Sequence, residues 1–465
     1  VSDPFDAVVR PVLDKLGPDG LTAAAAALAA EGAGRGLVVA GWADGRQTSR
    51  AVPVDPVPHA IDAAEWASLA AGVEQRHRAL NLFLADVYRA AGRRRGDPDR
   101  DPEVVRAGVL PAWAVASSPA REPEAVGFAW RDQPRATLAA TDVARGPDGR
   151  WIVLADSLRV PAGIGYALAA RDVVRTAVPE LVPPVAVHDP SDAVPLLAGA
   201  LAGAAPPQVR RAPQVAALSA GEADPAWFEH RVLADALGVP LVRAADLWPR
   251  PDGGIVAAVD GERVPVDVLF RRFDDAELAA HRTPGGAQLA ALLAEGVRSG
   301  TLGLANVPGN GVADDRATYA VVPRMIRFYL GEEPLLRSVP THVLADPVQW
   351  AEVRSRLHEL VLTPVDAYGG GSSVVGPQAT TDELAQLQAE VAAAPHRFVA
   401  AEPVVLPTVP TLVGGALVPR PVDLRVFSVA GASGTRVLPC PLTRVGPSPA
   451  TRPTGAAIKP TWVLT

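Results

Sequence analysis

Leu304-Ala305-Asn306-Val307-Pro308-Gly309-Asn310-Gly311-Val312-Ala313-Asp314-Asp315-Arg316 is the stretch on which the fold of this chain turns. A short apolar approach runs into a polar, glycine-containing turn, and a helical pattern follows from near Asp314 to Leu330. Asn306, Asn310, Asp314 and Asp315 are residue types that satisfy the unpaired N–H groups of a helix start. Such a start also attracts anions, because its N–H groups and dipole both favour negative charge. Arg316, in the first turn, is placed to meet a phosphate. A capping loop without a ligand reads equally well from the same residues.

Toward the C-terminus, an apolar strand at 359–362 leads to Tyr368-Gly369-Gly370-Gly371-Ser372-Ser373. Consecutive glycines can turn several N–H groups toward one anion. Phosphate loops of this kind usually have a nearby lysine, and here Thr363-Pro364 ends the strand. About a helix and a strand later, Glu402 leaves the strand 398–402, suited to ribose hydroxyls or simply a strand-end glutamate. Further strands are predicted at 417–419, 424–429 and 435–439.

Toward the N-terminus, residues 136–160 read as a β-hairpin with Pro147-Asp148-Gly149 at the turn. Its arms carry Asp142 and Arg145, then Asp156. Paired strand ends can bring two carboxylates to one Mg²⁺; a hairpin with solvated charges is the other reading. The strand at 266–270 delivers Arg271, Arg272, Asp274 and Asp275, a set that binds carboxylates or closes interface ion pairs. Strands at 215–218 and 241–242 and a helix at 225–237 suggest α/β layering. Residues 1–90 are mainly helical, with Trp66, Leu69, Val73, Leu80, Leu84 and Val87 at helical spacing over 63–88. Residues 93–102 form a polar loop.

Composition bounds the function classes. The chain has 465 residues, is 48% hydrophobic and 20% charged, and carries a net charge of -7. That balance disfavours nucleic-acid binding. No apolar run is long enough for a membrane span, and the acidic residues near the start argue against a signal peptide. Cys440 is the sole cysteine, which excludes an internal disulfide and a multi-cysteine zinc site and makes the cytosol the expected compartment. Lys15 and Lys459 are the only lysines, so arginine holds nearly every basic position.

In this order the pieces resemble the circularly permuted ATP-grasp type 2 family, relatives of glutathionylspermidine synthase. The resemblance runs from about residue 55 to the end. It rests on Glu65-Trp66, Gln75-Arg76 and Asp86 in the helix predicted over 63–88, and on Asp142, Arg145, Asp156 and the 161–168 block beginning at Pro161. It continues with Phe228-Glu229-His230, Arg271-Arg272, the 304–332 block, Asp423-Leu424-Arg425, Leu442-Thr443-Arg444-Val445 and Lys459 with Thr461-Trp462. The metal-type hairpin precedes the glycine loop and hinge, which is the permuted order.

The resemblance implies an α/β fold with α+β lobes: a helical N-terminal region (1–135), a metal-binding hairpin with an α/β substrate lobe (136–300), and a nucleotide lobe with the glycine loop and hinge (301–465). It implies a ligase that uses ATP and Mg²⁺ to join a small-molecule or peptide carboxylate to an amine through an acyl phosphate. Asp142 and Asp156 would hold Mg²⁺. Arg145, Arg425 and Arg444 would stabilise phosphoryl or carboxylate charge. Arg316, Gly369, Gly370, Gly371, Glu402 and Lys459 would contact ATP, and Arg271, Arg272, Asn306, Asn310 and Asp314 would shape the substrate side. A helical partner protein is a further implication. The chain departs from the family pattern at Arg316 and Thr363 (lysines), Ala401 (glutamine) and Ser157 (asparagine). These departures keep open an alternative, a degraded ATP-grasp protein acting as a scaffold or regulatory partner.

Overall fold

The computed structural model describes residues 4–43, 46–92, 100–130, 132–365, 373–446 and 457–465. Gly369, Gly370 and Gly371 lie outside the described residues, as do most of the polar loop at 93–102 and most of the segment before Lys459.

The helix predicted over 63–88 runs Ala63–Ala91. Asp62 starts it by accepting from the N–H groups of Ala64 (2.9 Å) and Glu65 (3.3 Å), as a helix cap should. Its apolar stripe is buried. Trp66, Leu69 and Val73 pack on Val143, Val153, Leu424 and Val426 of the main sheet. Further along the same face, Leu80, Phe83 and Leu84 pack with Val321, Val322 and Met325 of the helix Arg316–Leu330. At Gly72 a Cβ would lie 2.4 Å from the Leu336 side chain, so only glycine allows that approach.

The main sheet has eight strands. The hairpin Leu138–Arg145 and Trp151–Ser157 lies beside the long strand Ala416–Gly431, followed by Leu442–Val445 and Ala457–Lys459. Strands from both sides of residue 300 therefore share one sheet. The pieces predicted at 417–419 and 424–429 are one strand. Pro419 and Pro421 are tolerated because that part pairs only with Thr408–Val413, and the pairing with Leu442–Val445 begins at Val422.

The hairpin contains a β-bulge. Val143 pairs with Val153, but Asp142 pairs with Ala155, leaving Leu154 as the extra residue.

A parallel sheet of four strands, ordered Gly303–Ala305, Val268–Arg271, Val215–Leu218 and Leu241–Val242, forms the predicted α/β layer. The helix predicted from Asp314 starts at Arg316, because Asp315 caps it by accepting from the Ala317 N–H at 2.8 Å. A smaller antiparallel sheet orders Thr341–Val343, Phe398–Ala401, Val361–Pro364 and Val374–Val375, covered by the helix Thr381–Ala393. The C-terminal strand Thr461–Val463 pairs in parallel with His59–Ile61, tying the chain end to the N-terminal region.

Candidate functional site

The main sheet and the smaller sheet meet over a small apolar cluster. Ala144, Leu154 and Val339 are buried in it, with Ile152, Ala401, Val404 and Leu406 packed against them. Arg316 spans the two sheets. Its guanidinium donates to the Leu154 carbonyl at 3.0 Å, the extra residue of the bulge, and its backbone N–H donates to the Val365 carbonyl at 3.0 Å. Glu402 leaves the smaller sheet beside this cluster with its side chain 34% exposed, 3.3 Å from Arg356 and 4.0 Å from His342. Thr363, on the neighbouring strand, shares a 2.9 Å hydroxyl contact with Ser373.

Along the main sheet lies a four-residue charge cluster. Arg425 stands opposite Asp142, and Arg444 opposite Asp423. Because Asp423 and Arg425 alternate on one strand, all four side chains share a face. Arg425 grips Asp142 with two bonds of 2.7 and 2.9 Å. Arg444 grips Asp423 at 2.8 and 2.6 Å and reaches Asp142 at 3.0 Å. Burial works against the Arg444 charge, but the two carboxylates outweigh it and raise its pKa.

Asp156 is not part of this cluster. It pairs across the hairpin with Thr141, one residue out of phase with Asp142, and so faces the opposite side of the sheet. There Arg76 holds it with bonds of 2.7 and 2.6 Å, and the two side chains are only 1% and 2% exposed. The residues sharing the Asp142 face are Ala155 and, one pair on, Ser157. The expected Mg²⁺ pair, Asp142 and Asp156, is thus split by the sheet. Each carboxylate is saturated by guanidinium groups, and among the described residues no cluster of three His, Cys, Asp or Glu side chains could hold a metal. The residues present do not fit a Mg²⁺ site.

The other expected contacts divide the same way. Lys459 is fully buried. Its ammonium donates to Asp55 (2.6 Å), the Val57 carbonyl (3.0 Å) and the Pro410 carbonyl (2.9 Å), leaving no N–H for a nucleotide. Arg145 pairs with Glu65, and its guanidinium lies 5.3 Å from the Trp151 ring centre. It lines a cleft of about 1020 Å³ together with His59, Ala144, Arg337 and Asp423. Arg271 is buried on the Asn306 and Phe273 carbonyls (3.2 and 2.7 Å) with Asp275 2.7 Å away. Arg272 is buried on the Pro161 carbonyl at 2.8 Å.

Asn306 clamps the hairpin. It accepts from the Leu138 N–H at 2.9 Å and donates to the carbonyls of Leu138 and Leu158 at 2.6 and 2.8 Å. Asn310 donates to the Arg135 and Leu158 carbonyls at 2.9 and 3.1 Å. Asp314 accepts from the Leu158 and Arg159 N–H groups at 2.5 and 3.3 Å. In this conformation these residues brace the hairpin against the parallel sheet, and their side chains are not presented to a substrate.

Burial pushes the Asp314 carboxyl up to about 7, against the opposing pull of Arg159 and two backbone N–H groups. A raised carboxyl pKa stabilises the fold fully below the unfolded pKa, and the contribution is lost as pH rises through about 7. Asp314→Asn should remove about 3 kcal/mol of the stability decline between roughly pH 5 and 8. Urea melts of both proteins across that range check this; parallel pH profiles would refute it.

Three supporting residues lay in the sequence without an assigned role. Asp423 sits two residues from Arg425, a spacing that puts both on one strand face. Arg76 lies on the buried side of its helix. Glu229 accepts from the Gly163 and Gly165 N–H groups at 2.6 and 3.2 Å, at the start of the helix Ile164–Ala177, where a carboxylate is favoured by the positive end of the helix dipole.

Two sheets meeting over an apolar cluster, with a carboxylate beside it and arginines along the larger sheet, are an architecture of the ATP-grasp kind. The chain belongs to the circularly permuted ATP-grasp type 2 family, whose sequence profile matches residues 58–446. It is 42% identical over 465 residues to "Putative glutamate–cysteine ligase 2-3" of Frankia alni, covering 99% of this chain and 52% of that protein. A second Frankia protein, "Putative glutamate–cysteine ligase 2-2" of Frankia casuarinae, is 41% identical over 99% of this chain and 52% of its own length. An uncharacterized protein of Mycobacterium tuberculosis is 37% identical over 89% of this chain and 74% of its own length. The chain spans about half the length of the Frankia relatives it matches. No helix of the described residues is long and apolar enough to cross a membrane.

Proposed function

We propose that this chain acts in ATP-dependent ligation of a carboxylate to an amine, with the nucleotide held between the main and smaller sheets. The observation that carries this reading is a set of three features on and beside the face of the main sheet that meets the smaller sheet. The apolar cluster of Ala144, Ile152, Leu154, Val339, Ala401, Val404 and Leu406 suits a purine. Glu402 stands beside it, half-exposed, to accept ribose hydroxyls. Arg425 and Arg444 lie along the same sheet face, where polyphosphate and acid substrate carry negative charge.

In the proposed reaction the acid's carboxylate oxygen attacks the γ-phosphorus and ADP leaves. The amine then attacks the acyl carbon, releasing phosphate and a proton and leaving an amide. The chain's part is to orient the acid and the phosphates and to offset charge through Arg425 and Arg444. No step is assigned to Mg²⁺. The acid and amine are small molecules or peptides, and a helical protein partner completes the proposal.

Calorimetry with ATP tests the reading directly. Binding should appear, and Glu402→Gln should weaken it about tenfold or more, the value of a lost charge-assisted hydrogen bond. No heat at millimolar ATP would remove the nucleotide assignment. A second reading, a degraded relative serving as scaffold or regulatory partner, is favoured by the separation of Asp142 from Asp156 and by the buried Lys459. It predicts nucleotide binding without ADP release for any acid and amine pair.

A further inference from the structure

We infer that the cleft holds its polyphosphate ligand without a divalent cation, with the Arg425 and Arg444 guanidinium groups supplying the positive charge. This rests on the nucleotide reading above and sharpens it.

The first support is the hairpin register. With Leu154 bulged, only Asp142 among the hairpin's aspartates 142 and 156 faces the Arg425–Arg444 side, and the positions beside it on the return arm are Ala155 and Ser157. Mg²⁺ demands near-octahedral oxygen ligation and draws on carboxylates to supply part of it. The hairpin thus offers one carboxylate on this face, and the second, Asp423 on the neighbouring strand, is 0% exposed with both oxygens bonded to Arg444.

The second support is occupancy. Both oxygens of Asp142 accept from Arg425, and one also meets Arg444; both oxygens of Asp423 accept from Arg444. A cation approaching Asp142 meets two guanidinium groups before it reaches a free oxygen.

The third support is charge balance. Two carboxylates against two guanidiniums leave this cluster neutral. An arriving polyphosphate offers oxygens that compete with Asp142 for the same forked N–H donors. Guanidinium groups bind phosphate oxygens bidentately, so the exchange is between like acceptors. Arg425 and Arg444 keep 20% and 14% exposure, whereas Asp423 is 0% exposed.

The experiment is calorimetry of the full chain with ADP in EDTA and in excess MgCl₂. The affinities should agree within about threefold, under 1 kcal/mol. Arg444→Gln should weaken ADP about tenfold or more in EDTA. Ala155→Glu, which places a second carboxylate directly across from Asp142, should make ADP binding tighten when Mg²⁺ is added. Affinity that rises about tenfold or more with Mg²⁺ in the unmodified chain overturns the inference and leaves the nucleotide reading standing. Absence of ADP binding in both buffers overturns both.

Discussion

Asp156→Ala should lower the unfolding free energy by about 3–5 kcal/mol, the range found when one partner of a buried ion pair is removed. The loss follows from what is left behind. Arg76 and Asp156 are 1% and 2% exposed and share two short bonds. Without the carboxylate, Arg76 keeps a 3.0 Å bond to Ser338 and a position 5.3 Å from the centre of the Tyr319 ring. Neither neutralises its charge, and water cannot reach it cheaply. Replacing both partners, as in Arg76→Met with Asp156→Leu, should recover most of the loss, because the desolvation cost of both charges disappears together. Urea denaturation of the two variants at neutral pH is the measurement. A single-variant loss under about 1 kcal/mol would show that the pair opens readily. If Asp156 were instead a cation ligand on the cleft side, its removal would spare stability and abolish any Mg²⁺ effect on nucleotide binding.

The contrast between those outcomes shows what could be read from the sequence. The helix at 63–91 was legible, since its apolar spacing is a local signal and the helix ends within a few residues of its predicted end. The hairpin was legible too, because Pro147-Asp148-Gly149 is a strong turn signal and Gly149 takes the required positive φ of 75°. The register was not. Counted back from Arg145 opposite Trp151 without interruption, Asp142 and Asp156 fall on one face. The bulge at Leu154 shifts the count by one residue and turns Asp156 to the other face. Nothing in Val153-Leu154-Ala155 announces that extra residue. Its reason is tertiary: Leu154 fills the apolar cluster, and its carbonyl accepts from Arg316. The prolines at 419 and 421 misled in the opposite sense, suggesting a break where a two-stranded ribbon tolerates them.

Burial was the other quantity hidden from the sequence, and Lys459 shows its consequence. Lys459→Met should cost about 3–5 kcal/mol of stability and leave nucleotide affinity unchanged in the protein that remains folded. The ammonium joins Asp55 and Val57 to Pro410, two segments distant along the chain, and it is 0% exposed. Methionine would fill the stem's volume but leave the Asp55 carboxylate and two carbonyls with lost donors. Burial lowers the Lys459 pKa, and the Asp55 charge only partly offsets that. The ion pair is therefore held in place by the surrounding fold, and its disruption is felt through the unpaired Asp55. Asp55 has a second task, accepting from the Val57 and Leu412 N–H groups at 2.9 Å each. Asp55→Asn with Lys459→Met should then recover only part of the loss, because asparagine cannot replace both acceptors. A phosphate-contacting lysine would behave in reverse: stability nearly constant and nucleotide binding weakened about tenfold or more. Thermal melts paired with ADP calorimetry on the Lys459→Met protein separate the two, and weakened ADP binding at unchanged stability would return Lys459 to the cleft.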